Sequence, residues 1–333
     1  MFSTKDHVIS RLLRSGEYIS GQSLSDELNI SRAAVNAAVR SLKQDGYDIS
    51  SVTNKGYRLN NRPDLLTAGS LLSLLPEARM RDVIILDKID STNKYLKSLA
   101  SEGAPSGTVV ISNCQTEGRG RLGRSFISPP DKGIYLSYLM KPSVPFDLVS
   151  RITCWTAVTA ANAVEEACGI CPDIKWVNDL QINGKKICGI LTEMIVESEI
   201  SSISNVIIGI GLNVNHLPSD FPDELRNTAA SLRMELPGNE PLYRASITAG
   251  LINGLDRMCR EFPDAHDRYL DSYRRLCSTT GLDVSVVSAH NHTSEIPRTG
   301  KAMSIGDDFS LKVLFDDGHE ENLSSGEVSV RRR

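Results

Sequence analysis

The 333-residue chain lacks several features that would place it in a class at once. No apolar run reaches the roughly 18 residues of a membrane-spanning helix, and the charged first residues lack the apolar core of a signal peptide. The seven cysteines are odd in number and scattered, which argues against a disulfide framework and suits a reducing compartment. These absences predict a cytoplasmic protein that does not bind membranes.

Signatures of a bound metal are also scarce. Cys168 and Cys171 have C-x-x-C spacing, but a zinc site needs a second pair at suitable spacing, and the sequence has none. The stretch around them, "EEACGICPD", is typical of a helix end that leads into a strand. We therefore attribute the spacing to chance rather than to a zinc site or a redox pair.

The formal net charge of −4 hides an uneven distribution along the chain. Residues 1–62 hold nine Lys and Arg against six Asp and Glu, so this segment is +3 and the remainder is −7. A small basic head on an acidic body weakly indicates a nucleic-acid-binding module.

The first 62 residues alternate short helical patterns with residues that end helices. Apolar spacing predicts one helix that stops at Gly16 and a second that stops at Asn29. A third helix begins after the capping residue Ser31 and closes at Gly46. The next stretch, "YDISSVTNKGYRL", has the pattern of two strands joined by a tight turn. This order predicts a winged helix-turn-helix domain.

The third helix carries two different faces. Val35, Val39 and Leu42 form an apolar stripe, whereas Arg and Asn side chains recur every four residues on another face. Arg suits guanine edges and Asn suits adenine edges, and four alanines keep the helix slim enough for the major groove. The alternative is a small helical interaction domain with a solvated charged face. The residues predicted to contact DNA are Ser31, Arg32, Asn36 and Arg40 on the helix and Lys55 and Arg58 on the wing.

Gly118, Gly120 and Gly123 spell G-x-G-x-x-G, the pattern of a dinucleotide-binding turn. A Rossmann turn needs its third glycine to open a helix and an acidic residue about 20 positions further on. Here Pro129 and Pro130 follow the glycines and lead into a strand pattern, and no suitable acidic residue ends a second strand. The flanking sequence therefore excludes an NAD enzyme.

The same stretch, which we call the arginine loop (residues 116–131), interleaves its glycines with Arg119, Arg121 and Arg124. Glycine loses backbone freedom when a loop closes, which suits a lid that orders only on its ligand. Arginine forks match carboxylate and phosphate oxygens two at a time. The loop is therefore predicted to clamp a carboxylic acid against the α-phosphate of a nucleotide, the alternative being a solvated basic loop.

Further polar groups lie beside predicted helices and strands. At Ser91 and Thr92 a strand turns into a helix, where hydroxyl and N–H groups either cap the helix or face a ligand. A single long amphipathic helix is predicted over residues 146–169. Residues 173–197 are predicted to form a hairpin of two strands around an Asn183–Gly184 turn.

The hairpin and the strand after it carry groups that an adenylation site needs. Lysines offset charge on acyl and phosphate oxygens, and Asp179 would hold Mg²⁺ on the nucleotide. The last apolar strand ends in Gly209, Gly211 and Asn213, where close backbone approach and an amide are predicted to meet a purine. These patterns predict an enzyme that activates a carboxylic acid with ATP.

The chain resembles a known family, the biotin protein ligases, and in particular the bifunctional form that also represses biotin operons. Its N-terminal winged helix resembles the operator-binding domain of the same family. Because several independent motifs stand in the family's order, the resemblance is highly specific and covers nearly the whole chain. The matching motifs are "DSTN" (90–93), "GRGRLGRSF" (118–126), "KWVND" (175–179), "GKKICGILTE" (184–193), "GIGLN" (209–213) and "SSGEVSVR" (324–331).

The resemblance implies a reaction in two steps. Biotin and MgATP give biotinyl-5′-AMP and pyrophosphate, and a lysine of a biotin carboxyl carrier protein then attacks the adenylate and releases AMP. Biotin is thus a substrate, ATP and Mg²⁺ are required, and no cofactor stays permanently bound. The adenylate is expected to act as corepressor by ordering the arginine loop and favouring a homodimer on operator DNA.

The resemblance also implies roles for residues by position, and it selects Lys186 over Lys185, which strand alternation sends to the opposite face. Catalysis is assigned to Arg119, Arg121, Lys175 and Lys186. Biotin binding is assigned to Ser91, Thr92, Asn93, Gln115, Gly118, Arg119, Gly120, Arg121, Lys186 and Gly189. ATP binding is assigned to Arg121, Arg124, Lys175, Asn178 and Asn213, with Asp179 as the Mg²⁺ ligand.

Two residues depart from the family's usual pattern. Val177 stands where proline is usual after Trp176, a change that alters turn stiffness but removes no polar group. Phe126 stands where a tryptophan often occurs, and it keeps an aromatic wall. The assignment of a biotin site is therefore unchanged.

The predicted architecture is α+β. From about Asp283 onward, short alternating strands with Gly- and Asp-rich turns indicate a small β-barrel, which in the family is SH3-like. The predicted order is a winged helix-turn-helix (1–62), a linker with a short helix (63–80), a central mixed-sheet catalytic domain of the biotin/lipoate ligase type (81–280) and an SH3-like barrel (281–333).

Two other functions share parts of this pattern. A lipoate-type ligase would have the same catalytic scaffold, but no winged helix is expected in front of it. A ligand-sensing repressor without ligase activity would keep the winged helix, but it would not need the arginines and lysines of an adenylation site. The sequence therefore predicts a biotin protein ligase that is also a transcriptional repressor.

Overall fold

The structure, a computed structural model, describes nearly all of the chain. Part of the closing motif lies outside the described residues, because Gly326 and Glu327 are not among them. Within the described part, no helix is both long and apolar enough to cross a membrane. The described residues are 2–142, 144–197, 202–288, 297–324 and 328–332.

The N-terminal head has three helices and a two-stranded wing, as the sequence predicts. Ser31 caps the third helix through its hydroxyl, which accepts a hydrogen bond from the Ala34 N–H. Gly16 and Asn29 end the first two helices in the left-handed conformation, with φ of 67° and 50°. The elements are α1 (Thr4–Ser15), α2 (Gly21–Leu28), α3 (Arg32–Gln44), β1 (Ile49–Val52) and β2 (Gly56–Leu59).

The head has its own hydrophobic core, which the predicted apolar stripe of α3 enters. Val35, Val39 and Leu42 are buried there. Ala38 is buried as well, so one of the four alanines expected to slim α3 for the DNA groove packs in the core instead. The remaining polar face of α3 is exposed.

A short helical linker packs directly on the head. A Cβ atom on Gly69 would lie 2.2 Å from Ile9 Cγ2, so the linker helix and α1 are in close backbone contact. Arg14 of α1 donates to the backbone oxygen of Leu72 at the end of that helix. The head therefore packs directly against the linker and is not connected to it only by a flexible segment. The linker helices are α4 (Ala68–Leu72) and α5 (Glu77–Met80).

The central domain is a seven-stranded mixed sheet with helices packed against it. Its strands are β3 (Val83–Leu86), β4 (Val109–Ser112), β5 (Gly133–Met140), β6 (Asp173–Lys175), β7 (Asp179–Ile182), β8 (Lys185–Glu197) and β9 (Ser202–Asn213). They follow the spatial order β3-β4-β5-β9-β8-β7-β6, with β3 and β4 parallel and the other neighbours antiparallel. The helices are α6 (Thr92–Ser101), α7 (Phe146–Val149), α8 (Ile152–Cys168), α9 (Leu232–Glu235), α10 (Arg244–Glu261) and α11 (His266–Leu276).

Two elements of the central domain differ from the prediction. The predicted hairpin over residues 173–197 contains three strands, because the chain turns at residues 176–178 before it reaches the Asn183–Gly184 turn. The predicted long helix is broken between Val149 and Ile152, and α8 is buried on most sides rather than along one stripe. Since α8 packs against the sheet, α10 and α11, its apolar residues face neighbours in several directions.

The C-terminal segment forms a five-stranded antiparallel sheet. Its strands are β10 (Asp283–Ser288), β11 (Arg298–Ile305), β12 (Leu311–Phe315), β13 (Glu320–Leu323) and β14 (Val328–Arg332). The spatial order is β13-β12-β11-β10-β14, and within the described residues the two outer strands do not pair, so no closed barrel is seen there. The core of this sheet is continuous with that of the central domain.

Candidate active site

Two connected pockets lie beside the arginine loop. The inner pocket has a volume of about 50 Å³ and the outer pocket a volume of about 820 Å³. Because five residues line both, the two pockets are adjacent and meet along these residues. The residues shared by both pockets, here called the neck, are Gly120, Arg121, Phe126, Asn178 and Lys186.

Nearly all residues predicted to bind biotin or ATP line one of these pockets or the neck. Gly118 is the exception: it lies at the base of the arginine loop, where a Cβ atom would be 2.2 Å from the backbone oxygen of Phe126. The inner pocket holds Ser91, Thr92, Asn93, Gln115, Arg119 and Gly189. The outer pocket holds Arg124, Lys175, Asp179 and Asn213.

Hydrogen bonds among polar side chains organise the inner pocket. Gln115 Oε1 accepts from the Thr92 N–H at 2.9 Å and from the Thr92 hydroxyl at 3.1 Å. The buried Ser137 hydroxyl on β5 lies 2.7 Å from Thr92 Oγ1 and 2.5 Å from Asn93 Oδ1. Asn93 Nδ2 in turn donates to Glu193 Oε2 at 2.7 Å. The pocket therefore presents hydroxyl and amide groups whose orientations are fixed by one another.

Ser91 does not act as a simple helix cap. It occupies the N-cap position of α6 and is only 2% exposed, yet within the described residues its hydroxyl makes no capping hydrogen bond to the helix. The Ser91 N–H is instead held by Asp90 Oδ1 at 2.7 Å. Ser91 therefore lines the inner pocket without capping the helix, and its role in ligand binding stays a prediction.

Three strand glycines make room for site side chains. A Cβ atom on Gly209 would lie 2.4 Å from Asn93 Oδ1, and one on Gly211 would lie 2.6 Å from the Phe126 ring. A Cβ atom on Gly189 would lie 3.0 Å from Lys186 Nζ. Gly209 and Gly211 therefore belong to the inner pocket, and the prediction that groups them with Asn213 against a purine is wrong about their place.

The arginine loop folds back as a small hairpin. The Phe126 N–H donates to the Gly118 oxygen at 2.8 Å, and the Gly120 N–H donates to the Arg124 oxygen at 2.7 Å. A 3₁₀ turn (Arg121–Gly123) closes the hairpin, with Leu122 in the left-handed conformation at φ 57°. Since no helix follows Gly123 and the next element is β5, a Rossmann turn is excluded.

Arg121 stands at the centre of the neck. Its Nη1 donates to Asn178 Oδ1 at 3.2 Å, and Asn178 Nδ2 donates to the Ile190 oxygen of β8 at 2.8 Å. Burial lowers the pKa of the Arg121 guanidinium, and the nearby Asp179 carboxylate opposes that shift. Arginine stays cationic in proteins, so a partly desolvated positive charge lies where the two pockets meet.

Lys186 is the second cation of the neck. Its Nζ lies 2.6 Å from Asp179 Oδ1 across the β7–β8 pair. Its backbone is clamped by the segment before α9, since the Lys186 N–H donates to the Thr228 oxygen at 2.8 Å. Lys185 points the other way, with Nζ 3.9 Å from Glu235 Oε1. The structure thus places Lys186, and not its neighbour, in the site.

Asn213 is held rigidly in the wall of the outer pocket. It is 4% exposed, and its Nδ2 donates to the Ala230 oxygen at 3.0 Å. Because that bond uses one amide hydrogen, its other amide groups remain to be satisfied by a ligand or by contacts within the wall. Lys175 lies on β6 beside Asp179, with which it is paired in register.

A contribution from the C-terminal third of the chain was missed by sequence reasoning. Trp176, at the turn between β6 and β7, donates its N–H to Thr279 Oγ1 at 2.9 Å and its Nε1–H to the Phe309 oxygen at 3.0 Å. The Tyr273 hydroxyl donates to the Val177 oxygen at 3.1 Å. The paired residues are 96 to 133 positions apart in the sequence, so no local sequence pattern predicts these contacts. They fix the turn that carries the Lys-Asn-Asp group of the site.

The structure can be tested for a metal site through its donors. Within the described ranges, no cluster of three or more His, Cys, Asp and Glu side chains could hold a metal ion. A Mg²⁺ ion that arrives with a nucleotide needs only one or two carboxylates in addition to the phosphates. Asp179 in the outer pocket therefore fits a nucleotide-borne Mg²⁺, although Lys186 now shares that carboxylate.

The predicted DNA-contacting residues lie on the exposed surface of the head. Asn36 is held from the wing, because its Oδ1 accepts from the Tyr57 hydroxyl at 2.8 Å. Arg58 lies over the Tyr18 ring, with Cζ 4.9 Å from the ring centroid. Ser31 uses its hydroxyl to cap α3, whereas Arg32, Arg40 and the wing-tip residue Lys55 are exposed. The wing and α3 therefore form one basic surface.

Comparisons with known proteins agree with this geometry. Residues 85–213 match the model of the biotin/lipoate A/B protein ligase family, and residues 4–58 match an HTH domain. The bifunctional ligase/repressor BirA of Bacillus subtilis is 40% identical over 247 residues, which cover 74% of this chain and 75% of that protein. Its Escherichia coli counterpart is 32% identical over 203 residues, 61% of each chain.

A solved structure supports the same relationship. The biotin protein ligase from Aquifex aeolicus in complex with biotin and ATP superposes with a TM-score of 0.63 at 26% identity. The match covers 75% of this chain and 99% of that chain.

Proposed function

The chain belongs to the biotin/lipoate protein ligase family, among its bifunctional ligase/repressor members, and from this premise we propose that it is an ATP-dependent biotin protein ligase and a transcriptional repressor. The observation that carries the proposal is the pair of pockets joined at a neck that holds Arg121 and Lys186. The inner pocket adds hydroxyl and amide groups to the cations of the neck, and the outer pocket adds Arg124, Lys175 and the Asp179 carboxylate. A winged helix precedes them on the same chain.

In the first step, biotin occupies the inner pocket and MgATP the outer pocket. The ureido ring bonds to Ser91, Thr92 and Gln115, which places the carboxylate at the neck. A carboxylate oxygen attacks the α-phosphorus of ATP, and pyrophosphate leaves. Arg119, Arg121 and Lys186 stabilise negative charge that builds on the transferring phosphoryl group.

The outer pocket would hold the nucleotide through charge and one fixed amide. Lys175 and Arg124 face the phosphates, Asn213 approaches the adenine, and Asn178 holds Arg121 in place. We propose Asp179 as the protein ligand of Mg²⁺, whose charge neutralises the departing pyrophosphate. In the second step, a carrier lysine attacks the acyl carbon, and AMP leaves.

Biotin entry requires the inner pocket to widen. Ligand pockets usually measure about 300–1,000 Å³, whereas the inner pocket measures about 50 Å³. The arginine loop roofs this pocket through Arg119, Gly120 and Phe126, so it must move outward to admit biotin and return over it. The predicted lid behaviour of the loop is part of this proposal.

The repressor half of the function rests on the head. We propose that α3 enters the major groove of operator DNA with Arg32, Asn36 and Arg40, while Lys55 and Arg58 of the wing bind phosphates. The adenylate favours a homodimer that spans two half-sites. We further propose that the C-terminal sheet is an SH3-like barrel that contributes to the nucleotide and carrier sites, and that the protein works in the cytoplasm.

Pyrophosphate exchange into ATP tests the ligase half directly. Purified protein is incubated with MgATP, labelled pyrophosphate and either biotin or lipoate. We expect exchange with biotin and none with lipoate. Exchange with lipoate alone would replace biotin as substrate, and no exchange with either acid would leave a ligand-sensing repressor as the better description.

A further inference from the structure

We propose that Arg244 is a positioning residue that couples the operator-binding head to the end of the arginine loop, an inference that rests on the repressor half of the proposed function. Arg244 is the first residue of α10, and its side chain is 0% exposed. A buried guanidinium is costly unless ion pairs and hydrogen bonds compensate it. The partners that Arg244 has acquired therefore indicate what it holds together.

One group of these partners lies in the linker behind the head. Arg244 Nε donates to Asp64 Oδ2 at 2.8 Å, and Nη2 donates to the Asp64 backbone oxygen at 3.2 Å. The Arg244 N–H donates to Asp64 Oδ1 at 2.8 Å. Two residues before Asp64, Arg62 donates to the Leu13 oxygen of α1 at 3.0 Å. By binding Asp64, Arg244 therefore holds the linker segment that is hydrogen-bonded to α1 of the head.

The second group lies where the arginine loop returns to the sheet. Arg244 Nη2 lies 3.4 Å from Asp131 Oδ1, and Nη1 donates to the Gly133 oxygen at 3.2 Å, where β5 begins. The two carboxylates differ in exposure, since the Asp64 side chain is 18% exposed and the Asp131 side chain is 64% exposed. Arg244 therefore holds the linker tightly and the loop by a contact that water can readily replace.

Two asparagines repeat the same bridge. Asn215 Nδ2 donates to Asp64 Oδ2 at 2.7 Å, and the Asn215 N–H donates to the Lys132 oxygen at 2.6 Å. Asn113 Nδ2 donates to a linker backbone oxygen at 3.3 Å, and the Asn113 oxygen accepts from the Asp131 N–H at 3.1 Å. Three residues from three segments of the central domain thus each contact both the linker and the loop end. A side chain that only filled the core would not need this double contact.

This geometry provides a path from ligand to operator. When the arginine loop closes on the adenylate, the residues at its C-terminal end (131–133) shift against Arg244 and Asn215. Arg244 and Asn215 bind Asp64, so the shift is transmitted to the linker and to the contact between α4 and α1. The ion pair between Arg244 and Asp131 is the contact in the path whose charge can be removed without unpairing the buried guanidinium.

Asp131→Asn is the variant that tests the path. Arg244→Ala would leave Asp64 unpaired and endanger folding, whereas asparagine has the size of aspartate, tolerates the left-handed φ of 58° at this position and replaces the ion pair by a weaker neutral contact. We expect the gain in operator affinity on adding biotinyl-5′-AMP to fall by about 2- to 30-fold. Asp131 is the last residue of the loop and is not among the described residues that line either pocket, so pyrophosphate exchange and operator affinity without adenylate should stay at wild-type values. Asp87→Asn, which removes the same charge from an exposed position, is the matched control and should retain the full gain.

Amide hydrogen exchange supplies a readout that does not depend on DNA. In the wild type, biotinyl-5′-AMP should slow amide hydrogen exchange both in the arginine loop and in residues 64–66, and in Asp131→Asn it should slow amide hydrogen exchange in the loop alone. If the variant keeps the wild-type response in both assays, Arg244 is only a structural support and the inference is overturned. If the adenylate changes neither operator affinity nor amide hydrogen exchange of the linker in the wild type, the coupling fails together with the proposed repressor function. The ligase function is tested separately by pyrophosphate exchange into ATP.

Discussion

The inner and outer pockets meet at the same neck but hold their polar groups in different ways. In the inner pocket, the side chains of Gln115, Thr92, Ser137 and Asn93 form a series of hydrogen bonds, and each side chain orients the next. In the outer pocket, the walls come from distant parts of the chain and carry arginine and lysine. The inner pocket is small and lined by side chains that hydrogen-bond to one another, and the outer pocket is wide and adds Arg124 and Lys175 to the cations of the neck.

The difference matches two tasks within one reaction. A neutral polar ring is recognised by hydrogen bonds of fixed direction, and mismatched groups are rejected because buried donors and acceptors would be left unpaired. A polyphosphate is held by charge, which acts over longer distances and tolerates small movements. We therefore expect inner-pocket variants to change biotin binding sharply and outer-pocket variants to change ATP use more gently, with the largest losses at the neck.

The largest effect is expected for Lys186→Ala, which removes a cation from the neck. Both pockets depend on this charge, so the change should lower kcat/KM for biotin-dependent pyrophosphate exchange by about 100- to 1,000-fold. Lys185→Ala is the matched control, since Lys185 faces Glu235 on the other side of the strand. Comparable losses in both variants would contradict the assignment of Lys186 to the site.

The next effect is expected for Thr92→Val, which keeps the shape of the inner pocket but removes a hydroxyl. Gln115 and Ser137 each lose one of two buried partners, since Gln115 keeps the Thr92 N–H and Ser137 keeps Asn93, and the two lost hydrogen bonds together cost about 1–3 kcal/mol. The Kd for biotin should rise by about 5- to 150-fold by calorimetry, with the KM for MgATP unchanged. Ser98→Ala removes a hydroxyl from the exposed side of the same helix and should have no effect. An equal rise in both constants would erase the distinction between the pockets.

A smaller effect is expected for Thr279→Val, which acts on the outer pocket alone. The buried Trp176 N–H loses its acceptor, so the turn before Asn178 and Asp179 loosens. The KM for MgATP should rise by about 3- to 10-fold while the Kd for biotin stays constant. Steady-state kinetics and calorimetry check the two values, with Thr280→Val at the exposed neighbouring position as the matched control. A change in biotin affinity would mean that the turn serves the inner pocket as well.

The smallest effect concerns the wall behind the outer pocket. His216 is 0% exposed and stacks on Phe221, which lines that pocket, at 5.3 Å between ring centroids. Burial lowers the pKa of His216 from 6.5 to about 4. The unfolded histidine takes up a proton near pH 6.5 and the folded one only near pH 4. Its contribution to stability is therefore complete above pH 6.5 and is lost as the pH falls through 4.

At pH 5 this loss should amount to about 2 kcal/mol in the free energy of unfolding. Urea unfolding at pH 7 and pH 5 measures it, and His216→Phe should show a smaller difference between the two pH values. The KM for MgATP should change little over the same range. If the variant and the wild type lose equal stability, other groups govern the acid response.

The sequence predicts the head well because its signals are local. Ser31, Gly16 and Asn29 cap helices with groups or conformations that act within a few residues, and the structure confirms each helix end. The exclusion of a Rossmann turn also rests on neighbouring residues. The pocket lining was predicted as a set, since the motifs that the chain shares with its family carry it.

What the sequence did not predict depends on contacts between distant residues. The turn that splits the expected hairpin into three strands is held by Tyr273, Thr279 and Phe309, far away in the chain. Gly209 faces the inner pocket because β9 pairs with both β5 and β8, which strand pattern alone does not fix. Arg244 stands in an ordinary helical stretch, "YRASITAG", and only the fold shows that its charge is buried.

The close packing of α4 against α1 at Gly69 has a consequence for the spacing of operator half-sites. Because the head packs against the linker, the two recognition helices of the proposed homodimer could not change their separation independently of the catalytic domains. Recognition helices that read successive major grooves on one face of DNA stand about 34–36 Å apart or at multiples of that distance. We expect the half-site spacing of the operator to be set by the dimer surface of the body. Operators with an inserted half turn of DNA between the half-sites should then bind the wild-type protein much more weakly. Gly69→Val, whose side chain would separate α4 from α1, should bind both operator spacings with similar, weaker affinity.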